Sequence, residues 1–441
     1  MTRPSLPVAA LLVVLAWPAA GRAQDAHYWT YGYGPIGQLT EGTLVGGVED
    51  LSAVFYNPGA VALIDKPRFV IGLTSVELAN IEVPGAAGER LDVDQLVFDV
   101  VPSMIAGQVG AHEGRDHFAF AFLSRHDSDW DLAYSDVQVS ASDPDAAAGF
   151  GRFRQRLVEY WVGGSWSNRL SDRLSVGLSP FFAYRAQRSR RALTLEELTG
   201  DTSRAVFVGR ESEYSHLRLM AKAGVAWRPG RWELGANVTA PGVKLWGNGK
   251  SVFNATVVGE AQAPLLSATT QKGLEPTYHA PWSVAGGATW RRPRGAIHTT
   301  VEWSSPVATY DILQPDPAPV AGRPETVPLV YRGEARGVVC YGLGLEQHLG
   351  DRVVLYGGAA HNESAYVAER DSFAAWDLTD LTAGFTFDTG RARLALGLGY
   401  AWGSKELPQA IVPPDEAGPP PTRDARFSRW TISIGASFDA R

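Results

Sequence analysis

One cysteine, three methionines and no excess of positive charge mark this 441-residue chain by what it has little of. A lone Cys340 excludes an intrachain disulfide and any multi-cysteine metal cluster. With 40 Lys and Arg against 47 Asp and Glu, the formal charge is −7, and the basic stripe of a nucleic-acid binder is missing. After residue 23 no apolar run approaches the roughly 18 residues a membrane helix needs, which rules out a helical membrane protein. Motifs of catalysis are missing too: the chain has no His-Glu-x-x-His, no Gly-x-Ser-x-Gly and no P-loop. None of these absences bears on a membrane β-barrel, whose strands are only half apolar.

What is present begins with an export signal. Residues 1–23 carry Arg3, a short apolar stretch from Val8 to Trp17, and Gly21-Arg22-Ala23 with small residues at −3 and −1 of a cleavage site. The mature chain would start near Gln24. Beyond it, strict alternation recurs. Leu394, Leu396, Leu398, Tyr400 and Trp402 share one face, and Arg393, Ala395, Gly397, Gly399 and Ala401 the other. Leu217 to Trp227 and Trp430 to Phe438 alternate likewise. Period two means strands with one greasy face and one small or polar face. Trp and Tyr collect at the segment ends, as at Tyr160, Trp166, Trp227, Trp232, Trp290 and Trp402. Such rings favour the membrane interface.

The connections sharpen this reading. About fourteen segments are expected, over 67–82, 95–110, 116–139, 152–169, 173–190, 204–228, 231–248, 278–291, 295–312, 336–349, 351–366, 378–388, 391–404 and 427–438. Short turns ("RPGR", "LGDR", "DTGR") alternate with long loops near 83–94, 140–151, 191–203, 249–277, 313–335, 367–377 and 405–426. That parity belongs to an outer-membrane barrel with short periplasmic turns and long external loops. The expected fold is all-β, a transmembrane antiparallel barrel over 66–441, with several strands rising above the membrane as a hairpin wall.

Residues 24–65 do not fit the strand scheme. They are Gly-rich, then apolar (Val45, Val48, Leu51, Val54, Phe55, Val61, Leu63, Ile64), and break at Asn57-Pro58-Gly59. Pro58 fixes φ and removes a donor, and Gly59 is expected to supply a positive φ. So apolar a segment is not a solvated tail, and the lumen is its natural place.

Here "GGVEDLSAVFYNPGAVALI" resembles the hatch signature of the FadL family, outer-membrane transporters of long-chain fatty acids and hydrocarbons. Asp50, Ser52, Ala53, Phe55, Tyr56, Asn57, Pro58, Ala60 and Leu63 match in type and spacing. The family's Asn-Pro-Ala reads Asn-Pro-Gly here, and its terminal aromatic is displaced to Phe438, ahead of Asp439-Ala440-Arg441. The resemblance implies a lumenal hatch over 24–65, an Asn57-Pro58-Gly59 turn that gates it, and Phe55 and Tyr56 against the ligand. It also implies sideways release through a gap in the wall, a Gram-negative outer-membrane location, contact with lipopolysaccharide, and the barrel-assembly machinery as partner. No cofactor, metal or nucleic acid is expected. External loops with Leu265, Leu266, Ile312, Leu313, Ile411 and Val412 would collect apolar solute.

Two other classes stay open. A FadL-like barrel with a fixed hatch would serve as an assembly or secretion partner. A rim hydrolase would draw on Ser124-Arg125-His126-Asp127-Ser128-Asp129, but alternation sends Arg125, Asp127 and Asp129 to the face opposite Ser124, His126 and Ser128. The charges Arg218, Lys222, Glu233, Glu302, Arg336, Glu346, His348 and Arg393 read as satisfied lumenal pairs, and Cys340 as packing.

Overall fold

The strand periodicity is realised as a closed wall. The computed structural model describes residues 27–30, 32–64, 67–83, 93–101, 103–110, 114–139, 146–199, 202–259, 262–367, 376–408 and 422–439. The export segment, Ile411 and Val412 lie outside them. The wall strands are β1 (Pro67–Val83), β2 (Val93–Val101 and Met104–Val109), β3 (Asp116–Val139), β4 (Ala146–Ser171), β5 (Leu174–Thr199), β6 (Thr202–Trp227) and β7 (Trp232–Thr239 and Val243–Gly259). They continue as β8 (Gln262–Leu274 and Ser283–Arg292), β9 (Gly295–Ser304), β10 (Val338–His348), β11 (Val353–Asn362), β12 (Leu378–Asp388), β13 (Ala392–Pro408) and β14 (Thr422–Asp439). Every pairing is antiparallel, and β1 closes on β14 from Pro67↔Asp439 to Glu82↔Arg426, giving a barrel of 14 strands.

Alternation sorts the two faces. On β3 to β6, Phe118, Phe120, Val162, Trp166, Leu178, Phe182, Leu219 and Trp227 are exposed, while Ala119, Ala121, Trp161, Phe181, Ala183 and Met220 are buried. So continuous an apolar outer band suits lipid rather than water. Leu174 to Tyr184 and Leu217 to Trp227 cover ten residue steps, about 23 Å at a strand tilt of about 45°. At the short-turn end the chain reverses tightly: Asp388 Oδ1 accepts from the Gly390 amide at 2.6 Å, and Gly390 sits at φ 80°. Both ends of the wall, Pro67 and Asp439, lie there.

Four expectations change. The stretch 249–277 is no loop. Val243–Gly259 and Gln262–Leu274 form a hairpin, and β6 supplies a second ladder to its first strand. The weakly apolar alternation there is held by pairing on both sides. For the same reason β5 and β6 run on through most of 191–203. The stretch 313–335 folds inward as a lid, with Ile312, Leu313, Tyr214 and Tyr331 in one buried cluster and Leu265, Phe253, Val320 and Leu329 in another. Leu265, Ile312 and Leu313 are therefore buried under the lid instead of collecting solute outside, whereas Leu266 is exposed. Finally, β2 is interrupted between Val101 and Met104, at Pro102 in the sequence. There the Ser103 hydroxyl donates to the Gly72 carbonyl at 3.3 Å.

Candidate functional site

The segment before β1 is gripped by the inner face of the wall. Helix α1 (Gly34–Leu39) packs on β1 and β11 to β14. Helix α2 (Ala53–Tyr56) packs on β3, and the 3-10 turn Pro58–Leu63 on β3 to β7. Irregular backbone inside a membrane-depth lumen needs partners for its polar groups. The wall provides them. Asn237 Nδ2 donates to the Tyr56 carbonyl at 2.6 Å, the Ser167 and Ser175 hydroxyls to the Gly59 carbonyl at 3.0 and 2.6 Å, and Thr382 to the Leu39 carbonyl at 3.2 Å. Lower down, Arg169 and Arg228 donate to the Ala62 and Leu63 carbonyls. Glu49 pairs with Arg291 at 2.6 Å and with Arg393 at 3.3 Å.

Asn57 is the centre of this grip. Fully buried, it caps the 3-10 turn, its Oδ1 accepting from the Gly59 amide at 3.1 Å. Its Nδ2 donates to the Val45 carbonyl at 3.0 Å and to the Val225 carbonyl of β6 at 2.9 Å. One side chain thus ties the start of the 3-10 turn, the bend at Val45 and the wall together. The expected positive φ of Gly59 is not found. Gly59 lies inside the 3-10 turn and is needed for close approach, since a Cβ there would sit 2.8 Å from the Gly224 carbonyl. The wall answers with glycine. A Cβ at Gly287 would meet the Gly46 amide nitrogen at 2.6 Å, and one at Gly177 or Gly235 would run into the Pro58 or Val45 carbonyl. The small-residue face legible in the sequence is therefore the seat of the hatch.

Above that seat lies an aromatic and cationic layer. The Phe55 ring is 4.5 Å from Tyr33, 5.3 Å from Tyr56 and 6.1 Å from Trp161. Arg125 stands over the Phe55 and Trp161 rings at 4.9 and 5.0 Å, and Lys222 Nζ over Phe55 at 4.2 Å. Arg125 also donates to the Tyr33 hydroxyl at 3.1 Å, and Trp29 Nε1 donates to Glu302 at 2.6 Å. Strict alternation puts Arg125 outside. A bulge between Ser124 and His126 turns both Arg125 and His126 inward, a change no period-two pattern reveals. Phe55 and Tyr56 do line a cavity, but it is not the greasy pocket that transport would suggest. Its other walls include Arg125, Lys222, Glu302 and Trp29, and it holds about 50 Å³. The short-turn mouth below opens to about 450 Å³ between Glu49, Leu63, Arg291 and Phe438. The cavity at Phe55 is much smaller than this mouth.

Within the hatch, burial and the nearby Asp380 carboxylate raise the Glu41 carboxyl to about 8. Burial also raises the Asp50 carboxyl, against the Ser52 amide that donates to it at 2.8 Å. Most of the remaining lumenal charges are paired: Arg218 with Glu159, Glu233 with Arg291, Arg336 with Asp377, and Glu346 with His298 and His348. Cys340 is buried.

No protein-family model and no curated protein matches this chain. Solved structures do. The toluene transporter TodX of Pseudomonas putida is 12% identical with a TM-score of 0.61, covering 95% of this chain and 100% of that one. A FadL homologue of Pseudomonas aeruginosa is 14% identical with a TM-score of 0.56, covering 94% and 100%. This chain has the FadL-type barrel fold. At these identities the likeness is one of fold. TodX is a toluene transporter and a monoaromatic hydrocarbon channel.

Proposed function

We propose that this protein is a passive outer-membrane transporter of hydrophobic compounds, long-chain fatty acids or hydrocarbons, working by ligand-gated diffusion through movement of the hatch. The single observation behind this reading is the small cavity at Phe55. Its space, about 50 Å³, holds no such molecule until residues 32–64 shift. TodX, with the same fold, carries toluene and monoaromatic hydrocarbons. The interruption of β2 offers a sideways exit into the bilayer, because the strand breaks at Ser103 and Gln38 of α1 reaches it, Nε2 donating to Ser103 Oγ at 3.0 Å. Asn57-Pro58-Gly59 is the gating element in this reading, and Phe55 and Tyr56 meet the passing ligand. Purified protein in detergent should bind a fluorescent long-chain fatty acid or toluene, and Asn57→Ala should slow uptake by cells at least several-fold. Binding of neither class would remove the transport reading.

A second reading, a fixed-hatch barrel serving as an assembly or secretion partner, draws on the number of bonds between hatch and wall, from Asn57 to Arg291. A stoichiometric partner that co-purifies with a barrel showing no ligand uptake would favour it.

A further inference from the structure

Above the outer aromatic ring, β3 to β7 carry a charge pattern that no lumenal role explains. The outward residues here are those in line with Tyr160 on β4 and Tyr184 on β5. Continuing along that face, Arg156, Arg154 and Arg152 follow on β4, and Arg188 and Arg190 on β5. All five side chains are roughly half exposed. The register sets Arg156 directly opposite Arg188 and Arg154 directly opposite Arg190. Like charges directly opposite destabilise an antiparallel pair, and this wall makes that pairing twice in succession. The arginines turn away from each other toward flanking acids. Arg152 reaches Asp131 and Arg156 reaches Asp127 on β3, at 2.5 and 2.6 Å, while Arg188 and Arg190 reach Glu211 on β6 at 2.8 and 3.2 Å. The centre of the patch is a two-strand column of five guanidinium groups, rimmed by carboxylates.

Position and shape narrow the ligand. Arg156 and Arg188 each lie four residues beyond the tyrosine of the interface ring, about 9 Å above it at a tilt of about 45°. The surface there is concave, with about 770 Å³ between Arg152, Arg154 and Arg190 and the rings of Phe150 and Phe207. Guanidinium forks match phosphate oxygens two by two, and Arg is the residue for such recognition. The aromatic rings above suit the apolar faces of sugars. We infer that this face of β4 and β5 binds the phosphorylated glycolipid of the outer leaflet, its phosphates replacing the flanking carboxylates on the opposed arginine pairs. The inference rests on the outer-membrane placement, which envelope fractionation tests separately.

The test uses the full chain, purified in detergent and incubated with deep-rough lipopolysaccharide, with the same glycolipid after enzymatic removal of its phosphates, and with inorganic pyrophosphate. Native mass spectrometry counts what stays bound. The intact glycolipid should be retained at least 10-fold better than the dephosphorylated one. Arg154→Gln with Arg190→Gln should lower retention at least 10-fold, whereas Arg332→Gln, an exposed arginine paired with Asp311, should leave it unchanged. Asp131→Asn with Glu211→Gln, which releases Arg152, Arg188 and Arg190 and leaves Arg154 on Asp129 and Arg156 on Asp127, should raise it several-fold, and this arm decides if the arginine variant fails to fold. Equal retention of the two glycolipid forms, or no rise in the acid variant, would overturn the inference. Full displacement by equimolar pyrophosphate would do so too, by making this a site for free phosphate.

Discussion

The lower and upper halves of the lumen are held by different physics. Below Phe55, hatch and wall meet backbone to backbone. Gly177, Gly224, Gly235 and Gly287 clear the space, and Asn57, Asn237, Ser167 and Ser175 carry hydrogen bonds to main-chain carbonyls. Above it, wall and lid meet side chain to side chain. Glu159 is buried between Arg185 at 3.0 Å and Arg218 at 2.5 Å, and accepts from Trp161 Nε1 at 2.6 Å. Both guanidinium groups face the Tyr278 ring, at 4.4 and 4.8 Å, beneath the lid cluster of Tyr214, Ile312, Leu313 and Tyr331. A lock of shape can be sprung as a unit, since its ion pairs, Glu49 with Arg291 and Arg393, lie partly exposed at the mouth. A lock of buried charge cannot be opened in part, because a lost partner leaves an ion stranded.

That contrast can be broken by experiment. The largest effect belongs to Glu159→Ala. It strands Arg185 and Arg218 and should lower stability by about 3–5 kcal/mol, read as the denaturant midpoint in detergent. A near-neutral result would mean the upper layer is solvated and the contrast false. Next comes Gly235→Val, which drives a side chain into the Val45 carbonyl and the Asn57 amide. It should cost about 1–3 kcal/mol and, more tellingly, unseat the hatch and raise single-channel conductance in planar bilayers. Gly286→Ala on the same wall meets nothing within 4 Å and should leave conductance unchanged. Asn57→Ala should cost about 1–2 kcal/mol through the lost cap, with faster amide exchange confined to residues 45–64. Spread of that exchange into the lid would show the two halves coupled.

Stability also depends on pH. The Glu41 carboxyl is raised to about 8 in the folded protein, above its ordinary value near 4.5. The folded state therefore holds this proton more tightly than the unfolded chain. Its contribution to stability is complete below about pH 4.5 and is lost as pH rises through about 8. The melting temperature should fall across that window, and Glu41→Gln should flatten the profile. A slope unchanged by Glu41→Gln would assign the pH dependence to other groups.

Much of the wall was legible in the chain. The segment 116–139 coincides with β3 and 378–388 with β12, because alternation between lipid and lumen is written one residue at a time. The seat of the hatch was half legible. The Ala and Gly face of Ala395, Gly397 and Gly399 announced close packing without saying what comes close. Of the cations around Phe55, alternation placed Lys222 in the lumen but not Arg125.

Strand identity, the inward and outward faces, the tight turns and the unusual leading segment follow from local chemistry: the two-residue pleat, proline's missing donor, and the conformational freedom of glycine in turns such as that at Gly390. Pairing between distant segments decided the rest. The bulge that brings Arg125 inside, the role of Gly59 in contact with Gly224, the hairpin across 249–277 and the opposition of Arg154 to Arg190 each depend on which strand lies alongside and in what register. One segment's composition carries no record of its partner's offset, so these features exist only once the wall has closed.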